Sequence, residues 1–71
     1  MNIKISLAAA RVNAHKTQED TAKFMHTSKN TVVAWEKGTA EPSVGQAREL
    51  SDFYKMPMDC IIFLPKKSNK I

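Results

Sequence analysis

Cysteine and glycine are both scarce in this sequence of 71 residues, which has one cysteine and two glycines. A single cysteine, Cys60, cannot form a disulfide within the chain, and the spacing typical of a cysteine-type zinc site is absent. A glycine-rich loop of the kind that cradles phosphates is missing as well. An unpaired cysteine suits a reducing compartment, and we therefore expect a cytoplasmic protein.

Long apolar runs are also missing. No stretch approaches the length of about 20 apolar residues that spans a membrane, and nothing at the amino terminus resembles a signal peptide. Hydrophobic residues make up 42% of the sequence, which is enough for a folded core. A domain of this size buries only about 60% of the surface that its unfolded chain exposes, so an interface with a partner would help to stabilise it.

The side-chain patterns of common enzymes do not occur. We find no Ser/His/Asp or Cys/His arrangement and no pair of carboxylates on a common face, so we do not expect an enzyme. The two histidines, His15 and His26, have no third ligand at a useful spacing. We therefore expect neither a metal site nor a cofactor.

Acidic residues are outnumbered by basic ones, seven against eleven, and the formal net charge is +4. This balance modestly favours a polyanionic partner. Only Arg11 and Arg48 are arginines. Most contacts with phosphate would therefore have to come from lysines, which act as point charges.

Two short helical units are predicted around a tight bend at residues 26–28. Thr17 is placed to cap the first unit, with Asp20 three residues later as in a capping box. Ser28 caps the second unit, and Gly38 ends it where a left-handed residue is usual. The apolar positions that recur at helical spacing and should face inward are Ala22, Met25, Val32 and Trp35. The residues on the outer side of the second unit are Lys29, Asn30, Val33 and Lys37.

Three further helices are predicted, over residues 3–14, 44–54 and 58–64. The first would be capped near Asn2 or Ser6, and the capping box of the second is Ser43 with Gln46. Residues 61–63 are β-branched and aromatic, so a short strand is the alternative to a helix there. We expect one domain over residues 1–65, followed by a basic flexible tail over residues 66–71.

The order of these residues along the chain resembles that of the phage repressor/Cro-type (Xre-like) helix-turn-helix family. The matching positions are Thr17-Gln18-Glu19, Ala22, Ser28-Lys29-Asn30-Thr31-Val32, Trp35-Glu36-Lys37-Gly38 and Pro42-Ser43. The resemblance extends over about residues 5–62. It implies an all-α, five-helix, lambda-repressor-like DNA-binding domain in which the second and third helices form the helix-turn-helix.

The exposed amino-terminal end of the third helix carries the residue types that read bases in the major groove. Lys29 can donate to guanine O6 and N7, and Asn30 can pair with adenine N6 and N7. Val33 and Ala34, one turn on, can lie against thymine methyl groups, although Ala34 can equally be a spacer. Position-by-position matching with the family supports Lys29, Asn30 and Ala34 as base-reading residues.

Other polar residues around the bend are expected to contact the DNA backbone and position the protein without reading sequence. They are Gln18, Thr27, Ser28, Thr31, Lys37 and Thr39. Gln18 resembles the family glutamine that bonds a phosphate and braces the reading helix. The resemblance also implies a structural ion pair between Arg11 and Glu36, which would tie the first helix to the reading helix.

Two residues depart from the family pattern in the second helix. Thr21 stands where leucine is commonly buried, and Phe24 stands where a polar residue commonly faces solvent. We expect either a slightly rotated helix or a Phe24 ring that fills the volume left by Thr21. An exposed Phe24 would instead mark a contact surface.

These features favour a sequence-specific regulator of transcription that binds double-stranded DNA. We expect a Cro-like or phage-type repressor, located on the nucleoid of a bacterial or phage-infected cell, that binds a palindromic operator as a homodimer through residues 58–64. The alternative is an antirepressor or antitoxin-like module that grips a protein partner, which the apolar Phe24 and Val33 would suit. A nonspecific DNA-coating protein is a weaker third interpretation. We expect no membrane contact.

Overall fold

Four α-helices and two short strands make up the part of the chain, residues 3–64, that the computed structural model describes. The helices are α1 Leu7–Asn13, α2 Gln18–Met25, α3 Lys29–Lys37 and α4 Val44–Tyr54. Strand β1 (Ile5–Ser6) precedes α1 and pairs in parallel with β2 (Ile61–Ile62), which follows a 3₁₀ turn at Met58–Cys60. The predicted tail over residues 66–71 lies outside the described residues.

The core lies between the four helices and β2, with α2 packed on both α3 and α4. Its buried apolar side chains are Leu7, Ala10, Ala22, Met25, Val32, Trp35, Leu50, Tyr54 and Ile61. All four positions that helical spacing predicts as inward-facing belong to this set. Each large aliphatic side chain buried there contributes roughly 1.5–3 kcal/mol, so the few such residues account for most of the stability.

Side-chain caps determine where the helices begin. The Thr17 hydroxyl accepts a hydrogen bond from the Asp20 amide at 2.9 Å, and the Asp20 carboxylate accepts one from the Thr17 amide at 2.9 Å. Ser43 and Gln46 form the second predicted capping box. Both boxes are confirmed, and α4 has the predicted bounds. Each cap satisfies amide groups that would otherwise lack a partner in the first helical turn.

The predicted fifth helix over residues 58–64 is wrong, whereas the predicted helical fold is present in the four α-helices, with one pair of two-residue strands added. After the 3₁₀ turn the chain extends, and Ile61 pairs with Ile5 in the parallel ladder. β-branched side chains favour this extended backbone, and the ladder satisfies its amide groups. Helix α1 accordingly begins at Leu7 instead of residue 3, because Ser6 is extended and its hydroxyl accepts from the Ala9 amide at 3.0 Å.

Positive backbone φ angles occur at the ends of three helical segments. His15 has φ +60°, His26 has φ +56° and Lys55 has φ +55°. Histidine enters this region more readily than most residues other than glycine. Gly38, with φ +82°, ends α3 as predicted.

Thr21 and Phe24 do not exchange places in the core. Thr21 is fully buried, and its hydroxyl donates to the Thr17 carbonyl at 3.1 Å, which leaves the Tyr54 hydroxyl, 2.9 Å away, to donate to Thr21. The expectation that Phe24 fills the volume left by Thr21 is therefore wrong. Phe24 lies on the surface, 43% exposed, with its ring stacked on Phe53 at a centroid distance of 4.2 Å.

Candidate nucleic-acid interface

Three residues connect α2 to α3 and hold the two helices in a compact bend. His26 adopts the left-handed conformation, and the amide of Thr27 donates to the Ala22 carbonyl at 2.9 Å. Ser28 then caps α3 by accepting from the Thr31 amide at 3.2 Å. The bend is therefore closed on both sides by hydrogen bonds, which gives α3 a defined direction relative to α2.

The two strongest candidates for base contact lie at the exposed end of α3. Lys29 and Asn30 are the first two residues of the helix and both side chains are exposed. Val33 and Ala34 follow one turn later and are only half-buried. On the opposite side of the helix, Trp35 is buried in the core. The helix thus presents a polar end and a less accessible apolar flank to the same side of the molecule.

Among the residues predicted to contact the DNA backbone, Thr27, Ser28 and Thr31 lie at the start of α3, whereas Lys37 and Thr39 lie at its opposite end. Lys37 and Thr39 are exposed, and Thr27 is half-buried. The hydroxyls of Ser28 and Thr31 lie 3.1 Å apart and share a hydrogen bond. Any contact of these two hydroxyls with phosphate would therefore have to coexist with the cap of α3.

An ion pair ties α1 to the far end of α3. The Arg11 Nε donates to the Glu36 Oε2 at 2.7 Å, and the two side chains are only 16% and 8% exposed. The Arg11 Nη1 also donates to the carbonyl of Lys16 at 2.9 Å, in the loop before α2. Gln18 completes the network, because its Nε2 donates to the Glu36 Oε1 at 3.0 Å. The network joins α1, α2 and α3, and one amide hydrogen of Gln18 is left for another acceptor.

A second ion pair lies on the candidate interface and was missed from the sequence. The Lys29 Nζ is 3.0 Å from the Glu19 Oε2. The hydrogen bond from Lys29 is the main cause that lowers the pKa of the Glu19 carboxyl. In the sequence, the two residues stand in the first turns of the two helices that flank the bend. This placement alone does not show that their side chains meet.

Metal ions have no evident place in this arrangement. Within residues 3–64, no three histidine, cysteine or acidic side chains come together as ligands. The described helices are also too short or too polar for any of them to cross a membrane.

Comparison with known proteins now identifies the family. A model described as helix-turn-helix matches residues 7–59 of the chain. The chain belongs to this helix-turn-helix family, in its phage repressor/Cro-type branch. It therefore contains a DNA-binding domain of the kind found in transcriptional regulators.

One relative among curated proteins is a phage protein. The chain is 38% identical over 48 residues to the cryptic phage CTXphi transcriptional repressor RstR of Vibrio cholerae. The alignment covers 68% of this chain and 43% of that repressor, so the chain matches less than half of its relative's length. No solved structure was found to match the chain.

Proposed function

We propose that this protein is a phage-type, Cro-like repressor that binds a palindromic operator as a homodimer and reads it with α3. The observation that carries the proposal is the exposure of Lys29 and Asn30 in the first turn of α3, directly after the capped bend. The similarity to a protein named as a phage transcriptional repressor supports it.

Base recognition would follow from the chemistry of these two side chains. The Lys29 ammonium can donate to guanine O6 and N7, and the Asn30 amide can both donate to and accept from adenine. Val33 and Ala34 are half-buried, which suits contact with thymine methyl groups. Lys37, Thr39, Thr27 and the remaining amide hydrogen of Gln18 would bond phosphates, and Ser28 and Thr31 would do so beside the cap of α3.

A dimer is proposed because one domain of this size makes few base contacts. Ile62 is 43% exposed and Leu64 is 41% exposed, and both lie in the segment predicted as the contact between copies. Ile3, which precedes β1, is 62% exposed. Burial of these side chains between two copies would remove apolar surface from water. Two reading helices would then occupy half-sites roughly 10 bp apart.

A protein-binding role is the second candidate, and the exposed Phe24 favours it. The Phe24 ring stacks on Phe53, and the Lys16 Nζ lies 4.8 Å from the centre of the Phe53 ring. An exposed phenylalanine stacked on a half-buried one, beside a cation, is a suitable contact for a partner protein. In this role the module would act by occupying its partner, as an antirepressor or antitoxin does.

Selection from a random pool of duplex DNA at physiological salt tests the proposal. An enriched inverted repeat is the expected result, and a single enriched half-site would refute the homodimer. Binding without enrichment would support a nonspecific coat, and failure to bind would favour a protein partner. The double variant Lys29→Ala/Asn30→Ala serves as the control for base reading. Both side chains are exposed, so the variant should still fold.

A further inference from the structure

The ion pair between Glu19 and Lys29 connects the two helices of the helix-turn-helix at the proposed DNA-binding end. Lys29 is the first residue of α3 and Glu19 is the second residue of α2. Their side chains are 61% exposed for Glu19 and 52% exposed for Lys29, although the charged atoms lie 3.0 Å apart. A ligand that approaches α3 therefore meets the pair directly.

Lys29 occupies an unfavourable place in the free protein. A helix amino terminus carries a partial positive charge, which disfavours a cation in the first turn. No acidic residue stands in the first turn of α3 to offset it. Glu19 supplies that carboxylate from α2, where the amino terminus of its own helix also favours a negative charge. The hydrogen bond from Lys29 lowers the pKa of Glu19, as expected for a carboxylate held in its charged form.

We propose that Glu19 is a specificity-determining residue, which directs Lys29 to a base edge and away from phosphates. This inference rests on the proposed function. An ammonium group has three hydrogens to donate, so Lys29 can keep its bond to Glu19 while it donates to guanine. A phosphate differs from guanine in its negative charge, which the Glu19 carboxylate repels, so a phosphate contact of the paired Lys29 gains less than a contact with a neutral base edge. Glu19 therefore weakens nonspecific binding more than operator binding.

Glu19→Gln tests this role, because the amide keeps the size of the side chain and removes the charge. Affinity for random duplex DNA should rise about two- to fivefold, the factor that corresponds to an exposed ion pair. The dependence of that affinity on salt should steepen by about one counterion. Affinity for the selected operator should change less, so the ratio of operator to nonspecific affinity should fall. Glu49→Gln, an equal charge change at an exposed position of α4, should leave the ratio unaltered.

Two outcomes would overturn the proposal. One is an equal gain in affinity on operator and random DNA, which would show that Glu19 acts only through the net charge of the protein. The other is a fall in the ratio that persists when Glu19→Gln is made in a Lys29→Ala background, where the pair no longer exists.

An experiment without DNA separates this proposal from the proposed function. The pKa of Glu19 is measured by NMR titration, and Lys29→Ala should raise it toward 4.5. An unchanged pKa would show that the pair does not form and would overturn the role of Glu19. A pool selection that yields no operator would overturn the proposed function, whatever the titration shows.

Discussion

Glu36→Gln should lower the free energy of unfolding by more than the removal of a charge from an exposed position does. Glu36 is 8% exposed and accepts hydrogen bonds from Arg11 at 2.7 Å and from Gln18 at 3.0 Å. Removing one partner of a fully buried ion pair costs roughly 3–5 kcal/mol, because the remaining charge is left uncompensated. Arg11 is 16% exposed, and glutamine keeps one carbonyl acceptor, so we expect a loss of about 2 kcal/mol in the free energy of unfolding.

Thermal unfolding followed by circular dichroism measures this loss. In a domain of this size, 2 kcal/mol corresponds to a fall in Tm of about 8–16 °C. Glu49→Gln is the matched control, since it removes the same charge from an exposed position on α4 and should change stability by less than about 0.5 kcal/mol. Operator affinity of the variant should also fall at temperatures where it is folded, because the network orients α3.

A double-mutant cycle isolates the pair itself. Arg11→Met alone should lower the free energy of unfolding by more than Glu36→Gln does, since Arg11 also donates a hydrogen bond to the carbonyl of Lys16 at 2.9 Å. The double variant should be more stable than the sum of the two losses predicts, by about 1 kcal/mol, because no unpaired charge is left. A Glu36→Gln variant that unfolds at the temperature of the wild type would refute the reasoning.

Three further substitutions probe the cap, the core hydrogen bond and the end of α3. Tyr54→Phe should lower stability in urea by about 1 kcal/mol, because it removes the donor to the buried Thr21 hydroxyl; an unchanged midpoint would exclude this bond. Gly38→Ala should cost about 1–2 kcal/mol, since its φ is +82° and the added Cβ would lie 3.1 Å from the Leu64 side chain; stability equal to the wild type would contradict that geometry. The cap of α2 lowers the pKa of Asp20, first through the backbone amide that it accepts from, so this carboxylate stabilises the fold above pH 3.8 and loses its effect as pH falls through the lowered value. Asp20→Asn should therefore reduce Tm near neutral pH, with a difference from the wild type that shrinks in acid; a constant difference would contradict the assignment.

The starts of α2, α3 and α4 were predictable because a side chain caps each of these helices, whereas α1 was predicted to begin four residues too early, with Asn2 and Ser6 both open as its cap. Thr17, Ser28 and Ser43 each cap the helix that follows, and the bonds span three residues. Such contacts depend on local sequence alone, so they can be recognised without knowledge of the rest of the fold. The bend, the bounds of α4 and the exposed end of α3 follow from them.

The strands were not predictable in the same way, because they depend on a distant part of the chain. Ile5 and Ile61 pair across most of the sequence. A segment of two residues is too short to show the alternation of apolar and polar side chains that identifies a strand. The family resemblance, moreover, favoured a helix at Ile61–Ile62. The β-branched composition near Ile61 was the single local signal for an extended chain.

Contacts between helices were predicted only where the resemblance supplied them. The pairing of Arg11 with Glu36 came from the family pattern, and the structure places the two side chains in contact. Thr21 and Tyr54 lie 33 positions apart, and their hydrogen bond depends on how α2 packs on α4. That packing sets the orientation of Phe24 as well, which is why its surface position could not be inferred from spacing.

The most direct measurement of reading by α3 compares the wild type with Lys29→Ala and Asn30→Ala on the selected operator and on each of its single-base variants. Each substitution should cost about 1–3 kcal/mol on the operator and should abolish the preference at one base pair, while the other preferences remain. An equal loss on every sequence, with all base preferences intact, would show that these residues contact phosphates, and it would contradict base reading by α3.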